Sequence, residues 1–187
     1  MLKSGKSGFG PPAPGPGCEL APSLWVTRFA ALVPAGGPVL DLACGAGRHT
    51  RFFIVRGHPV TAVDIDLSEV ADLAATPGVE LIGADLEHGS GWPLGERTFA
   101  GVVVTNYLHR PLLPVLVRAV ARGGALIYES FAVGNERFGR PRSPLFLLKP
   151  GELLEAVRGQ LEVVAYECGE VTDPRPAMVQ RIAAVRR

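Results

Sequence analysis

The chain has 187 residues, 47% of them hydrophobic and 20% charged, with a formal net charge of +1. That length suits one compact domain with its own core, and near-neutrality gives no global sign of a nucleic-acid or membrane partner. No apolar run is long enough to span a bilayer and the N-terminus lacks a signal-peptide apolar region, so a cytoplasmic location is expected. Cys18, Cys44 and Cys168 are odd in number and share no paired spacing, which argues against a disulfide framework and against a zinc site.

Residues 1–22 are rich in Gly, Pro, Ser and Lys. They offer little to bury, and a mobile tail is expected ahead of one domain over 23–187. Gly5-Lys6-Ser7 imitates the end of a phosphate-binding loop, but the glycine that motif needs five residues earlier is missing. Ser23 to Val33 reads as the first helix, capped by Ser23, with Trp25, Phe29 and Leu32 on one face. Pro34 and Gly36-Gly37 end it.

Val39, Leu40, Leu42 and Ala43 form an apolar run typical of a strand covered on both faces. It leads through Cys44, Gly45 and Gly47 into a helix over 46–56 that stops at Gly57. The two glycines allow positive φ and close approach of a ligand to the main chain, and the helix start offers unpaired N–H donors. Asp41, a carboxylate inside this strand, is costly unless hydrogen-bonded. It either ties down the glycine turn or serves a ligand. Cys44 lies within reach of a ligand, although a small apolar filler is the simpler role.

A second strand over 59–64 ends in Asp64, and Asp66 with Glu69 resembles a capping box opening a helix that Thr76-Pro77-Gly78 breaks. A third strand over 79–84 is followed by Asp85. The fourth, Phe99 to Thr105, runs into Asn106-Tyr107-Leu108-His109. A helix is expected over 111–121, with its prolines in the first turn, then punctuation at Arg122-Gly123-Gly124 and a fifth strand over 125–131. Residues 132–149 form a polar insertion carrying Arg137, Arg140, Arg142 and Lys149. It reads either as a mobile lid that attracts an anionic acceptor or as a solvated loop. A short helix over 151–157 precedes strands over 161–167 and 177–185, whose connection has no room for a crossover helix, so they pair antiparallel. The fold expected is α/β: a Rossmann-like three-layer sandwich with a mostly parallel seven-stranded sheet and a C-terminal antiparallel hairpin.

The run Asp41-Leu42-Ala43-Cys44-Gly45-Ala46-Gly47, with Asp64, Asp85 and the closing hairpin, resembles the class I S-adenosylmethionine-dependent methyltransferases over about residues 23–187. Ala43 stands where that family most often has glycine. The resemblance implies S-adenosylmethionine as cofactor, with Asp41 to Gly47 at its methionine part, Asp64 at the ribose and Asp85 toward the adenine. Ile65 and Leu86 follow the two acids, where they sandwich the ring or serve as plain core. Leu148-Lys149-Pro150-Gly151-Glu152-Leu153 resembles a segment of the branch related to tellurite-resistance methyltransferases.

The activity implied is methyl transfer to a small-molecule acceptor that the residues do not identify. A sulfonium already activates its methyl group, so such a protein mainly aligns the acceptor and excludes water. It needs a base only for an acceptor that carries a proton. Ligands of open α/β sheets sit at the carboxyl ends of the strands, where Asn106, Tyr107 and His109 are the catalytic candidates. Asn106 can hydrogen-bond the acceptor, Tyr107 can set its ring against the sulfonium and His109 can take a proton; His109 can equally be a helix-start residue bonded to backbone. Glu129 lines the acceptor pocket or forms an ion pair. An Asn-Pro-Pro-aromatic motif for base flipping is absent. Two other readings stay open: a nucleotide-binding regulatory module without turnover, and a nicotinamide-dependent oxidoreductase. The latter is weakened by Thr50, which stands where a dinucleotide fingerprint has its third glycine.

Overall fold

The computed structural model describes residues 21–88 and 92–187. Cys18 and nearly all of the expected N-terminal tail lie outside the described residues. Val39–Leu42 (β1) is buried at all four positions, as a strand with covered faces and paired edges must be. Its edges are taken by Val60–Asp64 (β2) and Phe99–Thr105 (β4), both parallel, with Val39 opposite Val60 on one side and Gly101 on the other. Val79–Gly83 (β3), Val120–Phe131 (β5), Glu162–Val171 (β6) and Ala177–Val185 (β7) complete a seven-stranded sheet in the order β3-β2-β1-β4-β5-β7-β6. The last two strands are antiparallel, as their short connection requires: Ala125 of β5 and Glu162 of β6 both lie opposite Val185 of β7. Strand order reverses between β1 and β4, which opens a crevice at their carboxyl ends.

The period-2 alternation of strand side chains divides the interior in two. Val39, Val60, Val103, Ile127 and Ala183 face Trp25 of helix Leu24–Phe29 (α1) and Phe53 of helix Arg48–Val55 (α2). Leu40, Leu42, Val102, Val104, Leu126 and Ile182 face the other way, toward Leu116 of helix Leu113–Arg118 (α3) and Leu153 of helix Glu152–Val157 (α4). Those two layers of helices on one sheet are the three-layer sandwich expected.

Several elements differ from the sequence reading. The helix expected after Asp66 is a 3-10 segment, Ser68–Leu73, with no side-chain cap bond from its N-cap Leu67. Asp66 Oδ1 instead accepts from the Ser68 N–H at 2.9 Å, a local turn that competes with a capping box. The helix expected over 111–121 begins as a 3-10 turn, Arg110–Leu112, and α3 ends at Arg118. The chain is back in the sheet at Val120, because Arg122-Gly123-Gly124 is a bulge within β5 and not a break. The register passes from Phe99 opposite Val120 to Gly101 opposite Ala125. Gly123 there has φ 75, and a Cβ on Gly124 would stand 2.9 Å from the Phe99 and Ala100 carbonyl oxygens. The insertion over 132–149 is only partly polar: Leu147 and Leu148 are buried, and Ala132 pairs with Leu148 beside the end of β5.

Candidate functional site

The glycine turn adopts the backbone that its composition allows. Gly45 has φ 52 and Gly47, the N-cap of α2, has φ 70; Ala43 joins them at φ 54, a strained value for a residue with a Cβ. The Gly45 N–H donates to Asp64 Oδ2 at 2.8 Å, while Asp64 Oδ1 accepts from the Asp66 N–H at 3.2 Å. The turn after β1 and the acid ending β2 thus meet at one lip of the crevice, and a carboxylate has further lone pairs for hydroxyl donors.

Behind the turn, Asp41 is 2% exposed, and its Oδ2 accepts from the Thr50 hydroxyl at 2.6 Å. Burial raises its pKa, against the Thr50 hydrogen bonds and the charge of Arg48, to about 7. Thr50, noted in the sequence only for standing where a glycine is missing, is therefore the partner that makes a carboxylate tolerable inside β1. Cys44 is buried against Ala62, Val70 and Leu73. Burial, followed by the charges of Asp41 and Asp64, pushes its thiol up to about 12, so it stays a neutral thiol and not a nucleophile.

Beyond β3, Asp85 Oδ1 accepts from the Glu87 and His88 N–H groups at 2.9 and 2.8 Å. Those bonds hold its carboxyl below the ordinary range. Ile65, beside Asp64, is 70% exposed, whereas Leu86, beside Asp85, is partly buried against the larger core cluster.

The three residues after β4 do not act as one group. Asn106 is exposed with φ 56, its N–H donating to the Glu129 carbonyl at 2.9 Å. Tyr107 packs against the larger core cluster, and its carbonyl accepts from the Tyr128 phenol at 2.7 Å. Its own phenol oxygen is buried without a hydrogen-bond partner among the described residues. Burial and the nearby charges of Glu87, Asp85 and Asp64 drive that phenol upward in pKa. His109 starts the Arg110–Leu112 turn with its carbonyl, which accepts from Leu112 N–H at 3.0 Å. Tyr107 thus lies in the field of the acids that follow β2 and β3.

Glu129 takes the ion-pair role: it meets Arg181 at 2.6 Å and accepts from the Ser23 hydroxyl at 2.9 Å. Two further residues escaped the sequence reading. His49 is buried on α2, accepts from the Ser23 N–H at 3.1 Å and is driven by burial down to about 3, so it remains neutral. Arg48, the first residue of α2, reaches the Thr105 hydroxyl at the end of β4 at 3.4 Å. Its place directly after Gly47 was the available signal. Among the described residues no three His, Cys, Asp or Glu side chains cluster as metal ligands, and no helix is long and apolar enough to cross a membrane.

Residues 39–124 match the family model described as a methyltransferase domain. That span runs from β1 into β5 and contains the glycine turn, both strand-end acids and the segment after β4. No curated protein matches the chain by sequence. Among solved structures, TehB from Haemophilus influenzae is similar at 20% identity and a TM-score of 0.64, over 84% of this chain and 60% of that one. A TehB-like SAM-dependent methyltransferase from Corynebacterium glutamicum is similar at 22% identity and a TM-score of 0.60, over 87% of both chains. The Burkholderia thailandensis 1,6-didemethyltoxoflavin-N1-methyltransferase, solved with its acceptor and S-adenosylhomocysteine, is similar at 20% identity and a TM-score of 0.65, over 87% of this chain and 76% of that one. At these identities the likeness is one of fold, and the chain spans 60% of the length of TehB.

Proposed function

We propose that this chain, whose residues 39–124 match a methyltransferase-domain model, transfers a methyl group from S-adenosylmethionine to a small-molecule acceptor over the carboxyl ends of β4 and β5. The observation that carries the reading is the 2.8 Å bond from the Gly45 N–H to Asp64. It brings together, on one lip of the crevice, a main chain open to a ligand and a carboxylate able to accept from ribose hydroxyls. A Cβ on Gly45 would meet nothing within 4 Å, so the space in front of the turn is open.

In this reading Asp41, Ala43, Cys44, Gly45 and Gly47 form the methionine end of the cofactor site. Asp64 holds the ribose and Asp85 faces the adenine, with its Oδ1 already engaged by backbone. Exposed Ile65 and half-buried Leu86 supply apolar surface for the ring. The cofactor, when bound, supplies an activated methyl group. The chain's own task is to align the acceptor and exclude water. Asn106, exposed at the end of β4, hydrogen-bonds the acceptor, and Tyr107 offers a ring face to the cationic sulfur. His109 takes the proton when the acceptor has one. A small molecule is favoured because neither the near-neutral charge nor any base-flipping motif suits a nucleic acid.

Titration calorimetry with S-adenosylhomocysteine tests the site. The wild type should bind it, and Asp64→Ala should weaken binding about 10- to 100-fold, since hydrogen bonds to a charged group are worth about 1.5–3 kcal/mol each. Equal affinity in the variant, or preference for a nicotinamide dinucleotide, would overturn the reading.

A further inference from the structure

We infer that Arg110 is a positioning residue that couples the cofactor end of the site to a strap, residues 143–149, walling the acceptor side; the inference rests on the reading of the site given above. Arg110 follows the rim residues Asn106 to His109 directly and opens the turn Arg110–Leu112. Its guanidinium reaches the strap and the start of α4. Nε donates to Glu152 Oε1 at 2.6 Å and Nη2 to Glu152 Oε2 at 3.0 Å, while Nη1 and Nη2 donate to the Leu145 and Leu147 carbonyls, each at 2.8 Å. The Glu152 carboxylate also accepts from the Lys149 N–H at 2.7 Å. One side chain thus holds the strap, its junction with α4 and the rim together.

The strap lies where an acceptor wall must lie. The Leu148 N–H donates to the Phe131 carbonyl at 2.9 Å and the Val133 N–H to the Leu148 carbonyl at 3.0 Å, so the strap runs beside the carboxyl end of β5. Buried Gln180 closes the far side, donating to the Lys149 carbonyl at 2.8 Å and accepting from the Leu153 N–H at 2.7 Å. The rim is anchored in turn by the Tyr128 phenol on the Tyr107 carbonyl at 2.7 Å. Whatever steadies the rim therefore steadies Arg110, and Arg110 steadies the strap. Enclosing walls of this kind exclude water from a reacting pair. The planar fork makes four bonds at once, two of them bidentate to the Glu152 carboxylate; a lysine ammonium has three donors on a single atom and cannot reproduce that set.

Hydrogen exchange of the full chain, with and without saturating S-adenosylhomocysteine, tests this. In the wild type the ligand should slow amide exchange over residues 143–149 by about fivefold or more, within the usual range of a coupling between sites. In Arg110→Lys that response should vanish while the ligand still binds, its affinity reduced by no more than the same factor, because coupling is reciprocal. A merely structural clamp would lower the melting temperature yet leave the ligand response of the strap intact, and that result overturns the proposal. So does a wild type that binds the ligand with no change in the strap. Failure of the wild type to bind the ligand at all is a different outcome, which overturns the site reading and this proposal with it. Should Arg110→Lys fail to fold, Glu152→Gln, which leaves the carbonyl bonds in place, is judged by the same criterion with a partial loss of response expected.

Discussion

Asp41 concentrates cost and use in one side chain. A carboxylate 2% exposed and raised by burial to about 7 holds in the fold a proton that the unfolded chain releases near 3.8. Between those values the folded state binds more protons, so this group's contribution to stability falls as pH rises from about 4 to about 7, at up to about 1.4 kcal/mol per pH unit. Asp41→Asn removes that dependence. Melting curves of wild type and variant between pH 4.5 and 8 should therefore diverge in the variant's favour as pH rises, and parallel curves would contradict the assignment. The cost of Asp41 was legible in the sequence as a charge in an apolar strand. Its partner was not, because Thr50 reaches it only once the first turn of α2 folds back over β1. Ala43 teaches the converse: its exchange for glycine reads as small for small, yet its φ of 54 places a Cβ where few residues tolerate one.

At the scale of the element, boundaries moved wherever a neighbour competed with local propensity. Ser23 has the composition of a helix cap, and it does accept from the Trp25 and Val26 N–H groups. Its additional ties to Glu129 and His49 depend on strands and helices distant in the chain. The glycines at 123 and 124 read as a break between helix and strand, but they let β5 pass close to β4 without leaving the sheet. Gly124→Ala would drive a Cβ to 2.9 Å from the Phe99 and Ala100 carbonyl oxygens. Overpacking of that kind costs about 1–3 kcal/mol, and the melting temperature should fall by roughly 2–12 °C. An unchanged melting temperature would mean that the bulge yields freely.

At the scale of the molecule, the methyltransferase-domain match ends at residue 124, but the core does not. Ile182 and Ala183 of β7 contribute to opposite faces of the sheet, and β7 covers the outer edge of β5. A chain ending at Gln160 should show no cooperative thermal transition and bind no S-adenosylhomocysteine in calorimetry; a cooperative transition would make the hairpin dispensable. The sequence by itself determined the alternation of strands and helices, the antiparallel ending, the glycine turn and the strand-end acids, because each depends on local period, on loop length or on the backbone freedom of glycine. Only the tertiary structure decided that Thr50 serves Asp41, that Glu129 is consumed by Arg181, that Tyr107 lies in the field of the acids that follow β2 and β3, and that Arg110 holds the strap. Most of those pairings join residues far apart in the chain, and Thr50, nine residues from Asp41, meets it only across the folded glycine turn; no local pattern encodes which partner a polar side chain will meet once the sheet has closed.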